Sequence, residues 1–162
     1  MTNYYLSLTL LLAMSEVFVL YTLEEAKREA QYYYEKLTAG HIESNYGEHK
    51  WFTIQRLCVF FFTFLAALSL FPGGNHFILS LITTLSLWCC FPFLHDLAYY
   101  VGRNRLDRST YPNPSWRTQS RNSQAWLDRI GLDNPYPRLI LLIAGVLLFL
   151  AVMIYQTYGI QW

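Results

Sequence analysis

Four stretches of the chain stay apolar for about the length of a membrane-crossing helix: Tyr4 to Leu23, Trp51 to Phe71, Phe77 to Leu97 and Leu139 to Tyr158. None alternates apolar with polar residues as a barrel strand would. Each is close to the ~20 residues that carry a helix through a ~30 Å hydrocarbon core. Inside lipid every backbone amide needs a partner within its own segment, which leaves helices. The pattern predicts an all-α fold: an integral membrane bundle of four transmembrane helices forming a single domain over residues 1–162. The spans fall at about 4–23, 51–71, 77–97 and 139–158.

The polar stretches between them fall into two groups. Met1 to Asn3, Pro72 to His76 and Gly159 to Trp162 hold no lysine, arginine or carboxylate side chain. All 12 Lys and Arg lie in or beside the two other connections, about 24–50 and 98–138. The positive-inside rule puts those two regions in the cytoplasm and both termini outside it. The first apolar run lacks the positive start and small-residue cleavage pattern of a secretory signal, so it reads as a retained helix. Glu24 to Leu37 contains neither Gly nor Pro, and Glu24 stands four residues before Arg28. The first helix is therefore expected to run on into the cytoplasm and to end near Gly40. In the second connection, Tyr111-Pro-Asn-Pro114 excludes regular helix. Ser123 to Ile130 reads as a short amphipathic helix with Trp126, Leu127 and Ile130 on one face, and Asp133 to Pro137 turns the chain back.

Composition agrees with the pattern. The chain is 54% hydrophobic and only 14% charged, against about 25% charged in soluble domains. Disorder is excluded by the aromatic content, and a net charge of +1 speaks against a nucleic-acid binder. The three cysteines, Cys58, Cys89 and Cys90, lie inside apolar runs, where they read as small packing residues.

Candidate chemistry gathers at the charged end. Glu16 lies two turns inside the first span, Arg56 one turn inside the second, and His95-Asp96 closes the third. An intramembrane carboxylate costs a few kcal/mol unless neutral or paired. The four residues form a candidate polar cluster, structural or functional, with a Glu16–Arg56 pair at its centre. No metal site is expected from spacing, because there is no His-Glu-x-x-His or Glu-x-x-His pattern. The weak candidate ligands are His41, His49, His95 and Asp96. No nucleotide loop, nucleophile elbow or other cofactor motif is present. The second connection holds seven arginines and no lysine. Of these, Arg103, Arg105, Arg108, Arg117 and Arg121 are candidate contacts for phosphate and anionic lipid.

Trp51-Phe-Thr-Ile-Gln-Arg56 and Phe91-Pro-Phe-Leu-His-Asp96, with Tyr99-Tyr100 and Arg103-Asn104 after it, resemble small polytopic membrane proteins of Bacteroidota and their phages. The resemblance implies a bacterial inner membrane and transfers no activity. Three functions remain for such a chain. The first is a non-enzymatic accessory or scaffold subunit that associates with anionic lipid and with other membrane proteins or itself. The second is a pore-forming, channel or phage-type lysis protein. The third is a membrane-embedded lipid- or metal-dependent enzyme.

Overall fold

The computed structural model describes residues 2–39, 46–71, 76–115, 117 and 134–158. Four helices carry the chain: α1 (Thr2–Thr38), α2 (Tyr46–Leu70), α3 (His76–Leu106) and α4 (Pro135–Tyr158). All four are long and apolar enough to cross a bilayer. Their outward faces are those of a protein solvated by lipid. Val17, Leu20, Phe62, Ile140 and Leu147 are each more than 60% exposed. A water-soluble domain rarely leaves apolar surface uncovered on that scale. The protein is an integral membrane protein built as a four-helix bundle.

α1 runs unbroken to Thr38, as its pattern predicts. α3 departs from the expected boundary. It continues nine residues past Leu97 and ends at Leu106, so α3 also extends beyond the span at the arginine-rich end. The extension is held by close packing against α1. Ala26 and Ala30 are fully buried there, and a Cβ placed on Gly102 would come within 3.0 Å of the Ala30 Cβ. Tyr33 of α1 packs edge-on against Tyr99 of α3, with ring centroids 6.5 Å apart. Asp107 then closes the helix. Its carboxylate accepts from the backbone N–H groups of Ser109 (3.1 Å) and Thr110 (3.2 Å) and from both hydroxyls. Those donors hold the Asp107 carboxyl at a pKa of about 2, below the usual carboxylate range. At the start of α4, the Asn134 side-chain oxygen accepts from the Tyr136 N–H at 3.0 Å while Pro135 occupies the first helical position. This is the favoured chemistry for a helix start, and it places the α4 boundary four residues ahead of the expected span. The expected helix over Ser123 to Ile130 lies outside the described residues.

α3 is the hub. Its serines and threonines, Ser80, Thr83, Thr84 and Ser86, are fully buried. Small side chains allow helices to approach closely in lipid, where no hydrophobic force drives them together. α4 approaches closely: a Cβ on Gly145 would collide with the Ser86 carbonyl oxygen and stand 2.8 Å from Cys90 Sγ. Cys58, by contrast, is exposed on α2 and does not pack in the core. Leu11, Ala67, Phe71 and Val152 form one apolar cluster toward the uncharged end. Phe18, Leu87 and Phe91 form a second, nearer the charged end. On this second layer rests the polar site.

Candidate functional site

The inward face of α1 repeats at spacings of three and four: Phe18, Thr22, Glu25, Glu29 and Tyr33, all buried. That periodicity follows one side of a helix. It carries two carboxylates, one turn apart, to the same inner face. Glu25 is 3% exposed and Glu29 7%, a burial that carboxylates show only when they are partnered.

Their partner is Arg56 of α2. Arg56 Nε donates to Glu25 Oε1 at 2.7 Å, and Nη2 donates to Glu29 Oε2 at 2.7 Å. One planar guanidinium thus bridges two carboxylates through two donors of its rigid fork. Its cationic carbon also lies 5.3 Å from the Phe91 ring centroid, close enough for a cation–π contribution.

His95 of α3 extends the cluster. Its Nε2 stands 2.9 Å from Glu29 Oε2 and its Nδ1 3.3 Å from Asp96 Oδ1. Both ring nitrogens thus face carboxylate oxygens, and only the imidazolium donates to both. In that form the three carboxylates are balanced by two guanidiniums and one imidazolium. The ring is clamped between Phe91 (5.1 Å, 23°) and Tyr99 (6.4 Å, 14°), in a ladder that begins with Trp88 stacked on Phe91. Asp96 in turn accepts from Arg138 of α4, a guanidinium only 3% exposed.

The series Glu25–Arg56–Glu29–His95–Asp96–Arg138 therefore joins α1, α2, α3 and α4. Each helix supplies at least one charged group to a neighbour. Such a clasp specifies register and neighbour identity, which apolar packing in lipid does weakly. Removing one member of a buried ion pair leaves the other desolvated, at a cost of about 3–5 kcal/mol.

The arrangement differs in part from what the sequence predicts. Arg56, His95 and Asp96 do come together. Glu16 does not join them: it lies on the exposed face of α1 and makes no hydrogen bond or ion pair among the described residues. Arg56 is engaged instead by Glu25 and Glu29, about two and a half and three and a half turns further along α1. Those two glutamates and Arg138 are the members that sequence reasoning misses. A signal for the glutamates exists, since Glu25 and Glu29 continue the spacing of Phe18 and Thr22. Arg103 is likewise not a surface lipid contact. It is 2% exposed, donates to Tyr99 Oη at 3.4 Å and lies 5.1 Å from the Tyr111 ring centroid. Arg105, Arg108 and Arg117 are exposed, and Arg121 lies outside the described residues.

The candidate metal ligands change as well. The His41 and His49 side chains lie outside the described residues, and Asp96 is turned toward Arg138. The one grouping of ligand atoms within 4.8 Å of one another, among the described residues, is Glu25, Glu29 and His95. Imidazole with two carboxylates suits a transition metal. The cation already seated between those carboxylates, however, is the Arg56 guanidinium. A divalent ion would have to displace it.

No family model, no curated protein and no solved structure matches the chain.

Proposed function

We propose that this protein is a non-enzymatic accessory or scaffold subunit of a membrane assembly. It sits in a bacterial inner membrane with its arginine-rich end in the cytoplasm and both termini outside. The observation that carries this reading is the engagement of Arg56 by Glu25 and Glu29 at 2.7 Å each, with Arg138 engaged by Asp96. The charges of the clasp are spent on other helices of the same chain. Glu25 keeps one oxygen without a hydrogen-bond partner among the described residues, but the pairs among these groups lock four helices into one arrangement and hold the α1 and α3 extensions together as a platform at the charged end.

The pore reading draws little from the bundle. Thr22, Thr63, Thr84 and Ser86 are buried, but their hydroxyls donate back to carbonyls of their own helices at 2.6–2.9 Å. Hydroxyls used in that way satisfy their donors within their own helices. The metal-enzyme reading requires Arg56 to leave the carboxylates it bridges.

The test is isolation of the tagged chain from native membranes in a lipid-preserving polymer. The reading expects a stoichiometric membrane-protein partner or a defined homo-oligomer, lost when Arg56→Gln loosens the clasp. A chain isolated as a lone monomer under those conditions would overturn it.

A further inference from the structure

A groove of about 250 Å³ runs between α1 and α3 at the arginine-rich end, on a different face of α1 from the clasp. Leu23, Leu97, Val101 and Gly102 form its apolar walls, and Lys27 and Arg105 stand at its polar end. α1 and α3 run in the same direction here. Leu23 and Leu97 are the last residues of their apolar spans. Lys27 lies about 6 Å and Arg105 about 12 Å further along their helices. The apolar end therefore meets the hydrocarbon, and the two cations stand at headgroup height.

We propose that this groove binds one anionic phospholipid, an acyl chain lying along Leu23, Leu97 and Val101 and the phosphate held by Arg105 and Lys27. The size fits an alkyl chain. Pockets for compact drug-sized molecules run from about 300 to 1,000 Å³, and this one is smaller and apolar along its length. The charge fits as well. Arg105 is exposed and has no hydrogen bond or ion pair among the described residues. Its guanidinium is open to bidentate contact with a phosphodiester. Lys27 Nζ bonds Glu24 Oε1 at 2.5 Å, but both side chains are more than half exposed, so that pair is easily shared with a phosphate. With Glu24 counted, the rim carries one net positive charge, which complements the single net negative charge of a phosphatidylglycerol-type lipid. A zwitterionic headgroup is neutral overall and leaves that net positive charge of the rim unbalanced. The inference stands apart from the scaffold reading, since it uses none of the clasp residues.

The experiment is native mass spectrometry of the full chain released from detergent, with dioleoylphosphatidylglycerol or dioleoylphosphatidylcholine titrated in. The wild type should bind one phosphatidylglycerol in preference to phosphatidylcholine. Arg105→Gln and Lys27→Gln should each weaken that first binding step about fivefold, the equivalent of one interfacial cation. Val101→Trp, which fills the groove without changing charge, should abolish the preference. Arg108→Gln, equally exposed but outside the groove, should leave it unchanged. Equal binding of the two lipids would overturn the proposal. So would an Arg108→Gln effect as large as that of Arg105→Gln, which would mark diffuse attraction instead of a site. Thermal melts of each variant identify any that fail to fold. Arg105→Gln alters an exposed guanidinium, so it is the variant that decides between the outcomes.

Discussion

His95 Nε2 and Arg56 Nη2 lie 3.0 Å apart although they belong to different helices and both are donors when charged. They approach because they converge on a single acceptor, Glu29 Oε2, at 2.9 and 2.7 Å. One buried oxygen on α1 thus holds α2 and α3 in register. The like charges beside it are tolerated because Glu25 and Asp96 flank them. Glu29 is the keystone of the clasp, and neutralising it has two consequences at once: Arg56 loses half of its fork, and His95 loses the carboxylate it shares with Arg56. Glu29→Gln should therefore destabilise the protein by about 3–5 kcal/mol, read from thermal or denaturant unfolding in detergent. A change below about 1 kcal/mol would mean that the cluster is not held as described.

Glu16→Gln should not destabilise the protein, because Glu16 makes no hydrogen bond or ion pair among the described residues and an unpaired carboxylate facing lipid is itself costly. Combined with Arg56→Gln it should show no coupling energy, because Glu16 lies on the exposed face of α1, away from the guanidinium. The same unfolding measurement checks this, and a coupling of about 1 kcal/mol or more would restore the pairing expected from sequence.

The contrast between Glu16 and Glu29 shows what is legible in the chain. Hydrophobic runs are a local property, and they locate four helices and the continuation of α1. The participation of Arg56, His95 and Asp96 follows from charges placed inside apolar runs. Their partners do not follow, because a carboxylate just outside a span looks cheap to solvate. Glu25 and Glu29 sit among Lys27, Arg28 and Lys36, a polar segment that reads as an ordinary exposed helix. Arg56 of α2 and His95 of α3, which meet them on the inner face of α1, partner them there. The α3 extension rests on Gly102 against Ala30, a contact across more than seventy residues of sequence that no local pattern encodes. Arg103 reads as a loop residue for the same reason, although it belongs to a buried turn of α3.

Arg56→Ala should turn the clasp into a metal site. Without the guanidinium, Glu25, Glu29 and His95 present two carboxylates and an imidazole whose ligand atoms already lie within 4.8 Å of one another. The variant should bind about one Co²⁺, seen by visible absorption, and regain part of its lost thermal stability in doing so. The double variant Arg56→Ala with His95→Ala should lose both effects. Absence of Co²⁺ binding by a folded Arg56→Ala protein would refute the arrangement of the three ligands.

Gly145→Ala should part α3 from α4. The added Cβ meets the Ser86 carbonyl oxygen and lies within 3.0 Å of Cys89 Cβ and Cys90 Sγ, backbone and short side chains with little room to give. Overpacking of this kind costs about 1–3 kcal/mol. Disulfide trapping between cysteines introduced on α3 and α4 should become slower in the variant, and unchanged trapping with unchanged stability would contradict the close approach.

The turn that ends α3 should respond to acid. The Asp107 pKa of about 2 lies below the ~3.9 of an unstructured aspartate. A depressed carboxylate stabilises the folded turn above the unfolded pKa, and the contribution is lost as pH falls from about 4 through 2. Amide exchange at Ser109 and Thr110 should accelerate over that window in the wild type, relative to the intrinsic rate. In Asp107→Ala protection should be absent at every pH. Protection that persists below about pH 2 would mean that the carboxylate does not hold the turn.

Arg56 belongs to a buried ionic clasp. A double-mutant cycle of Glu25→Gln with Arg56→Gln, read by unfolding in detergent or bicelles, tests it most directly. Glu25 Oε1 accepts from Arg56 Nε, so the cycle reads the coupling of that pair within the cluster. The account predicts that each single change costs several kcal/mol and that the double change costs less than their sum by about 1–3 kcal/mol. It predicts in parallel that the proposed assembly is lost in each single variant. Strict additivity, or full stability and assembly in a folded Arg56→Gln protein, would contradict it.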